Sequence, residues 1–131
     1  MRYVIGIGCK KNTDKNTLIQ FILSILKKLN INREDIFKIC SIDIKAGENA
    51  IYMCARELGT PFVVYTAEEL NAVEGEFNGS DFVKSVTGTD NICERSALAG
   101  CGNSGGSIVL EKTVSYGITA AVARRNITLT I

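Results

Sequence analysis

Histidine is absent from the 131 residues. Imidazole is therefore unavailable as a general base, and no Ser-His-Asp or Cys-His arrangement is possible. A metal site would have only cysteine and carboxylate ligands. The five cysteines, Cys9, Cys40, Cys54, Cys93 and Cys101, are odd in number and form no Cys-x-x-Cys pair. Neither a zinc cluster nor a closed disulfide framework is expected, and no metal is expected to be bound. There is no tryptophan and a single proline, and no stretch of low complexity. No apolar run approaches the roughly 20 residues a membrane helix needs. Met1-Arg2 leads directly into a short strand, so no secretory leader is expected, and reduced thiols suit a cytoplasmic setting.

Hydrophobic residues make up 46% and charged residues 22%, the balance of a globular protein expected to form one domain over residues 1–131. The net charge of +1 argues against general affinity for nucleic acid. The signs are unevenly spread. Residues 1–45 carry nine Lys/Arg against four Asp/Glu, and residues 46–111 carry three against ten. The basic first third suits an anionic small molecule.

The element order reads as alternating strands and helices. Arg2-Tyr3-Val4-Ile5 is a buried strand. Thr13 or Asp14 caps a helix whose apolar residues Leu18, Ile22, Ile25, Leu26 and Leu29 follow the helical period, with Asn30 as its stop. Ile36 to Ile42 is a second strand, Asn49 to Leu58 a helix ended by Gly59, and Phe62 to Tyr65 a third strand. Thr66 and Glu69 form a capping box before a short helix through Leu70 and Val73. Ser80 caps another short helix through Phe82, Val83 and Val86. A helix over Ile92 to Ala99 starts at Gly88-Thr89-Asp90-Asn91. Ser107 to Thr113 and Ile118 to Ala123 form an antiparallel hairpin about Ser115-Tyr116-Gly117, and Ile127 to Ile131 adds an edge strand. The predicted fold is α/β, a three-layer α/β/α sandwich with a mixed, mainly parallel sheet and a C-terminal antiparallel hairpin.

Chemistry-bearing residues gather at predicted strand ends, where ligands of open α/β sheets sit. Gly6-Ile7-Gly8-Cys9-Lys10-Lys11 is expected to be a loop whose glycines admit a ligand and whose lysines favour an anion and lower the Cys9 pKa. It also resembles part of a dinucleotide fingerprint, but Lys11 stands where the third glycine would be. Lys45, in Ser41-Ile42-Asp43-Ile44-Lys45-Ala46-Gly47-Glu48, can bind an anion or lie solvated in its loop. Glu94, in a helix first turn, is either a general acid or base or a dipole-compensating carboxylate. The glycine-rich stretch Gly100 to Gly106 either bends tightly between helix and strand or leaves room for a bulky flat ligand, and Lys112 is either a site residue or an edge-strand guard.

Taken in order, these motifs resemble the CobE/CbiG C-terminal domain family of cobalamin biosynthesis. The resemblance rests on Gly6-x-Gly8-Cys9-Lys10-Lys11, Ser41-x-Asp43-x-Lys45-Ala46-x-Glu48, Tyr65-Thr66-Ala67-Glu68-Glu69-Leu70, Val86-x-Gly88-x-x-Asn91-Ile92-Cys93-Glu94-x-Ser96-Ala97-Leu98 and Leu110-x-Lys112. It implies a part in cobalt-precorrin-5A hydrolysis, in which the δ-lactone of a corrinoid precursor is opened and acetaldehyde released. The alternative it implies is a CobE-like tetrapyrrole-binding or carrier module without chemistry of its own; a nucleotide-binding domain ranks below both. The partners implied are the corrinoid and an N-terminal CbiG region or other pathway enzymes. No cofactor is implied, and cobalt enters only within the substrate. Lysine stands at position 10 or 11 where the family usually has arginine, which keeps the charge and loses the bidentate fork. Glu94 and Lys45 are then the expected catalytic pair, and Gly8, Cys9, Lys10, Lys11, Gly88, Gly102 and Lys112 the expected substrate-binding residues.

Overall fold

The structure, a computed structural model, describes residues 1–45, 49–79, 84 and 86–127. The side chain of Lys45 also lies outside the described set. So do Ala46, Gly47 and Glu48 of the second motif, the expected helix cap Ser80 with Phe82 and Val83, and residues 128–131 of the expected edge strand.

Strand β1 (Tyr3–Cys9) leads to helix α1 (Lys15–Leu29). Asp14 caps α1 by accepting the Thr17 N–H at 2.9 Å, and Asn30 ends it in the left-handed region at φ 55°, where asparagine is tolerated. Strand β2 (Ile36–Ile42), helix α2 (Asn49–Leu58) and strand β3 (Phe62–Tyr65) follow at their expected bounds. Thr66 and Glu69 form the reciprocal capping box of α3, which spans Ala67–Asn71 and stops short of Val73. Helix α4 (Ile92–Gly100) covers the expected Ile92 to Ala99 and one residue more, with Asn91 as its N-cap. Strands β4 (Gly106–Ser115) and β5 (Ile118–Arg125) extend the expected hairpin in both directions.

The sheet order is β3-β2-β1-β5-β4. The β1–β2 and β2–β3 pairs are parallel, and β5 is antiparallel to both β1 and β4. Helices joining β1 to β2 and β2 to β3 require parallel pairing, and the two-residue turn after β4 requires antiparallel pairing. The alternation of a strand divides the core into two. Ile5, Ile7, Ile39, Ile118, Ala120 and Val122 pack with Leu18, Ile22 and Ile51 of α1 and α2. Val4, Cys40 and Ala123 pack with Ala97 of α4 and Cys101. This is the expected three-layer sandwich with a mixed sheet. Among the described residues no helix is long and apolar enough to cross a membrane.

One expectation fails in a way that matters for function. Gly6 and Gly8 are not loop residues; they lie inside β1, opposite Ala121 and Thr119 of β5. A methyl group added at Gly6 would overlap the Cys93 carbonyl oxygen and fall 2.7 Å from Ser96 Oγ. The glycine is there so that α4 can approach the strand, not so that a ligand can.

Candidate functional site

The close approach of α4 sets the site. Gly6 on β1 lets the start of α4 down onto the sheet, whereas a methyl at Gly8 would crowd Thr119 Oγ1 at 2.6 Å and meet Ile92 Cβ only at an ordinary 3.8 Å. Asn91 fixes that start. Its Oδ1 accepts the Glu94 N–H at 3.0 Å, and its Nδ2 donates to Asn78 O at 3.0 Å. Thr119 on β5 donates its hydroxyl to Gly8 O at 3.2 Å. Between these elements lies a cavity of about 360 Å³ walled by Gly8, Cys9 and Lys10 of β1 and its exit, Thr87 and Asp90 before α4, and Lys112 of β4.

The cavity is electropositive for three reasons. Lys10 and Lys112 line it, and neither has an ion-pair partner among the described residues. Asp90, the carboxylate on its wall, is paired with Arg95 at 3.0 Å. Ile92 and Cys93, the first two residues of α4, contribute the positive end of the helix dipole. An anionic group fits there. A cysteine nucleophile does not: burial pushes the Cys93 thiol up to about 11, so it carries its proton at neutral pH. Cys9 is buried and belongs to the core beneath α1 as well as to the wall.

Glu94 is 8% exposed and does not wall the cavity. Its Oε2 accepts the Lys112 N–H at 2.8 Å. The β4–β5 register shifts between Leu110 and Thr113, so the carboxylate takes over a donor where the ladder is irregular. Its observed task is to tie α4 to β4 and so to place Lys112.

Of the expected site residues, the structure brings together Gly8, Cys9, Lys10 and Lys112. Gly88 adjoins the cavity, between Thr87 on its wall and Thr89, and takes φ 83°. Lys11 points to a different cavity, on the α1 side of the hairpin. Lys45 closes the short turn Asp43–Lys45 after β2. Gly102 belongs elsewhere. It follows the far end of α4, where Gly100 meets Val4 and Cys40, with open space about it. Its φ of 76° shows the reason for glycine, which is the left-handed turn that leaves the helix. The walls contributed by Thr119 and Gly117 were not legible, because each depends on a tertiary neighbour; the stretch from Thr87 through Asp90 and Asn91 carried a signal, as polar residues at a helix start where free N–H groups attract anions.

Residues 3–123 match the family described as the cobalamin synthesis G C-terminus. The chain belongs to that family. The cobalamin synthesis G relationship extends to Protein CobE of Sinorhizobium sp, 31% identical over 92% of this chain and 78% of that protein. It extends also to the cobalt-precorrin-5A hydrolase of Priestia megaterium, 29% identical over 91% of this chain. The chain spans 31% of that hydrolase's length. In fold it superimposes on the crystal structure of CobE, a protein of the cobalamin pathway, with a TM-score of 0.85 at 22% identity, covering 93% of this chain and 89% of that one. Family membership places the chain in cobalamin biosynthesis.

Proposed function

We propose that the chain binds a corrinoid precursor by its carboxylates and contributes this cavity to the opening of the δ-lactone of cobalt-precorrin-5A. The observation that carries the reading is the convergence of Lys10, Lys112 and the start of α4 on one cavity at the carboxyl end of the sheet. A ring fringed with carboxylates presents the anions that a helix N-terminus and two ammonium groups, without an ion-pair partner among the described residues, attract. The same groups would stabilise charge developing on a lactone oxygen.

A second reading, binding without chemistry, is favoured by Glu94. Its Oε2 accepts the Lys112 N–H, and the buried side chain does not wall the cavity, so it is not set against a water held there. Lys45 remains a proposed partner for the oxyanion.

The test has two readouts on the whole chain. Titration with cobyrinic acid, followed in the visible spectrum, should saturate, and Lys10→Gln with Lys112→Gln should weaken binding by at least about tenfold, the loss of one to two charge-assisted contacts. Unchanged affinity in that double variant rejects the cavity as the binding site. Incubation with cobalt-precorrin-5A should then release acetaldehyde, and Glu94→Gln should abolish release. Saturable binding without acetaldehyde supports the second reading, and full turnover by Glu94→Gln removes Glu94 from the chemistry.

A further inference from the structure

Tyr116 stands in a backbone conformation that suits asparagine or glycine. Its φ is 51°, and that of Gly117 is 76°. Two successive positive values are the pattern of the tight hairpin turn in which Asn-Gly is preferred. A bulky residue there is an outlier, and such strain collects at ligand clamps. Tyr116 is 89% exposed, so no core packing explains an aromatic ring at this place.

The ring walls a second cavity of about 780 Å³, between the hairpin and α1, together with Lys10, Lys11, Thr17, Phe21 and Ser115. This cavity shares Lys10 with the smaller one. The hairpin tip is shared as well, with Tyr116 on the larger side and Gly117 on the smaller. A methyl group at Gly117 would fall 2.8 Å from Lys10 Cε and 3.0 Å from Cδ. The Lys10 stem therefore lies against the glycine and forms the ridge between the two cavities. Asp14, the carboxylate on the larger wall, is occupied by the Thr17 N–H at 2.9 Å and the Thr17 hydroxyl at 3.0 Å. Asp14 stays ionised, and the wall sets against it two cations, Lys10 and Lys11, and two aromatic rings, Phe21 and Tyr116.

We propose that the larger cavity is the second half of the ligand site and that Tyr116 is a binding residue. A flat ring straddles Lys10, with one carboxylate in the smaller cavity. The Tyr116 ring packs on its face, and Lys11 meets a further carboxylate. The inference rests on the corrinoid reading above. The two turn residues divide the work: Gly117 makes room for the Lys10 stem, and Tyr116 offers the aromatic surface.

Cobyrinic acid titration of the whole chain tests this with Tyr116→Asn, Tyr116→Phe and Lys11→Gln, each paired with a thermal unfolding scan. Asparagine suits the turn, so Tyr116→Asn should unfold at the same temperature or higher while binding about tenfold more weakly, the loss of one aromatic contact. Tyr116→Phe should bind within about twofold of the parent, because the ring face is kept. Lys11→Gln should weaken binding and lessen its salt dependence. Wild-type affinity in Tyr116→Asn, or a loss of affinity matched by a loss of thermal stability, overturns the inference while the corrinoid reading stands. Absence of saturable binding by the unaltered chain overturns the corrinoid reading itself and this inference with it.

Discussion

The close contact between β1 and α4 is open to a sharp test at Gly6. Gly6→Ala adds one methyl group where the Cys93 carbonyl oxygen already stands, 2.8 Å from the Cys93 carbonyl carbon and 2.7 Å from Ser96 Oγ. Non-bonded carbon atoms are at their optimum near 3.5–4.0 Å. Two of the three obstructing atoms are helix backbone, which cannot rotate aside as a side chain would. Helix α4 must lift by roughly 1 Å, and overpacking of this kind costs about 1–3 kcal/mol, occasionally more. The lift also strains the Lys112 N–H bond to Glu94 and the Asn91 cap, each worth about 1 kcal/mol. A total near 4 kcal/mol is expected. At about 3–4 °C per kcal/mol for a domain of this size, the unfolding midpoint should fall by roughly 12–16 °C.

Gly59→Ala is the control. Nothing lies within 4 Å of its added methyl, but its φ is 67°, so only the left-handed penalty of about 1–2 kcal/mol applies. Circular dichroism melts of both variants separate steric from conformational cost. A Gly6→Ala midpoint within about 3 °C of the parent, or equal to that of Gly59→Ala, refutes the packing account, since that shift is worth under 1 kcal/mol.

Two further outcomes follow from the titration of buried and capping groups. Burial pushes the thiols of Cys40 and Cys54 up to about 12 and that of Cys93 to about 11. All three should therefore resist iodoacetamide in the folded chain near pH 8 and react in denaturant, and peptide mapping that finds Cys93 alkylated as fast as in the unfolded chain would contradict the buried wall. The Thr17 N–H, and then its hydroxyl, hold the Asp14 carboxyl below its ordinary 3.8. The stability it adds is thus present above that value and lost as the pH falls through the lower folded one. Asn caps without titrating, so urea unfolding of the parent and of Asp14→Asn should differ less at about pH 3 than at pH 6, and a constant difference would reject the cap as a source of acid sensitivity.

What could be read from the sequence alone was whatever depends on near neighbours. The helical period of Leu18, Ile22, Ile25 and Leu26 and the cap residues Asp14 and Asn30 placed α1 to within a residue. The capping box at Thr66 and the tight turn about Ser115-Tyr116-Gly117 were likewise local signals, the strands leaving only Tyr116 and Gly117 between them. The site was half legible, because Gly8, Cys9 and Lys10 are consecutive and Lys112 interrupts an apolar strand. Tyr116 was missed because a turn tyrosine is unremarkable until its φ is known. Gly102 was misplaced because a glycine that ends a helix and one that admits a ligand look the same in sequence.

Gly6 and Gly8 show why that ambiguity reaches into function. As letters they suggest a loop that touches a phosphate. In the fold they are strand residues; the smallness of Gly6 admits a helix, and that of Gly8 leaves room for Thr119. Yet that helix begins at the cavity, and its start at Cys93 reaches the sheet because Gly6 lacks a side chain. Gly6 therefore serves the anion site indirectly, by delivering a helix N-terminus to it, while Gly8 is part of the wall itself. It follows that a methyl at Gly8, close to Thr119 Oγ1 at 2.6 Å and Ile92 Cβ at 3.8 Å, would disturb the binding wall more than the core, and one at Gly6 the core more than the wall.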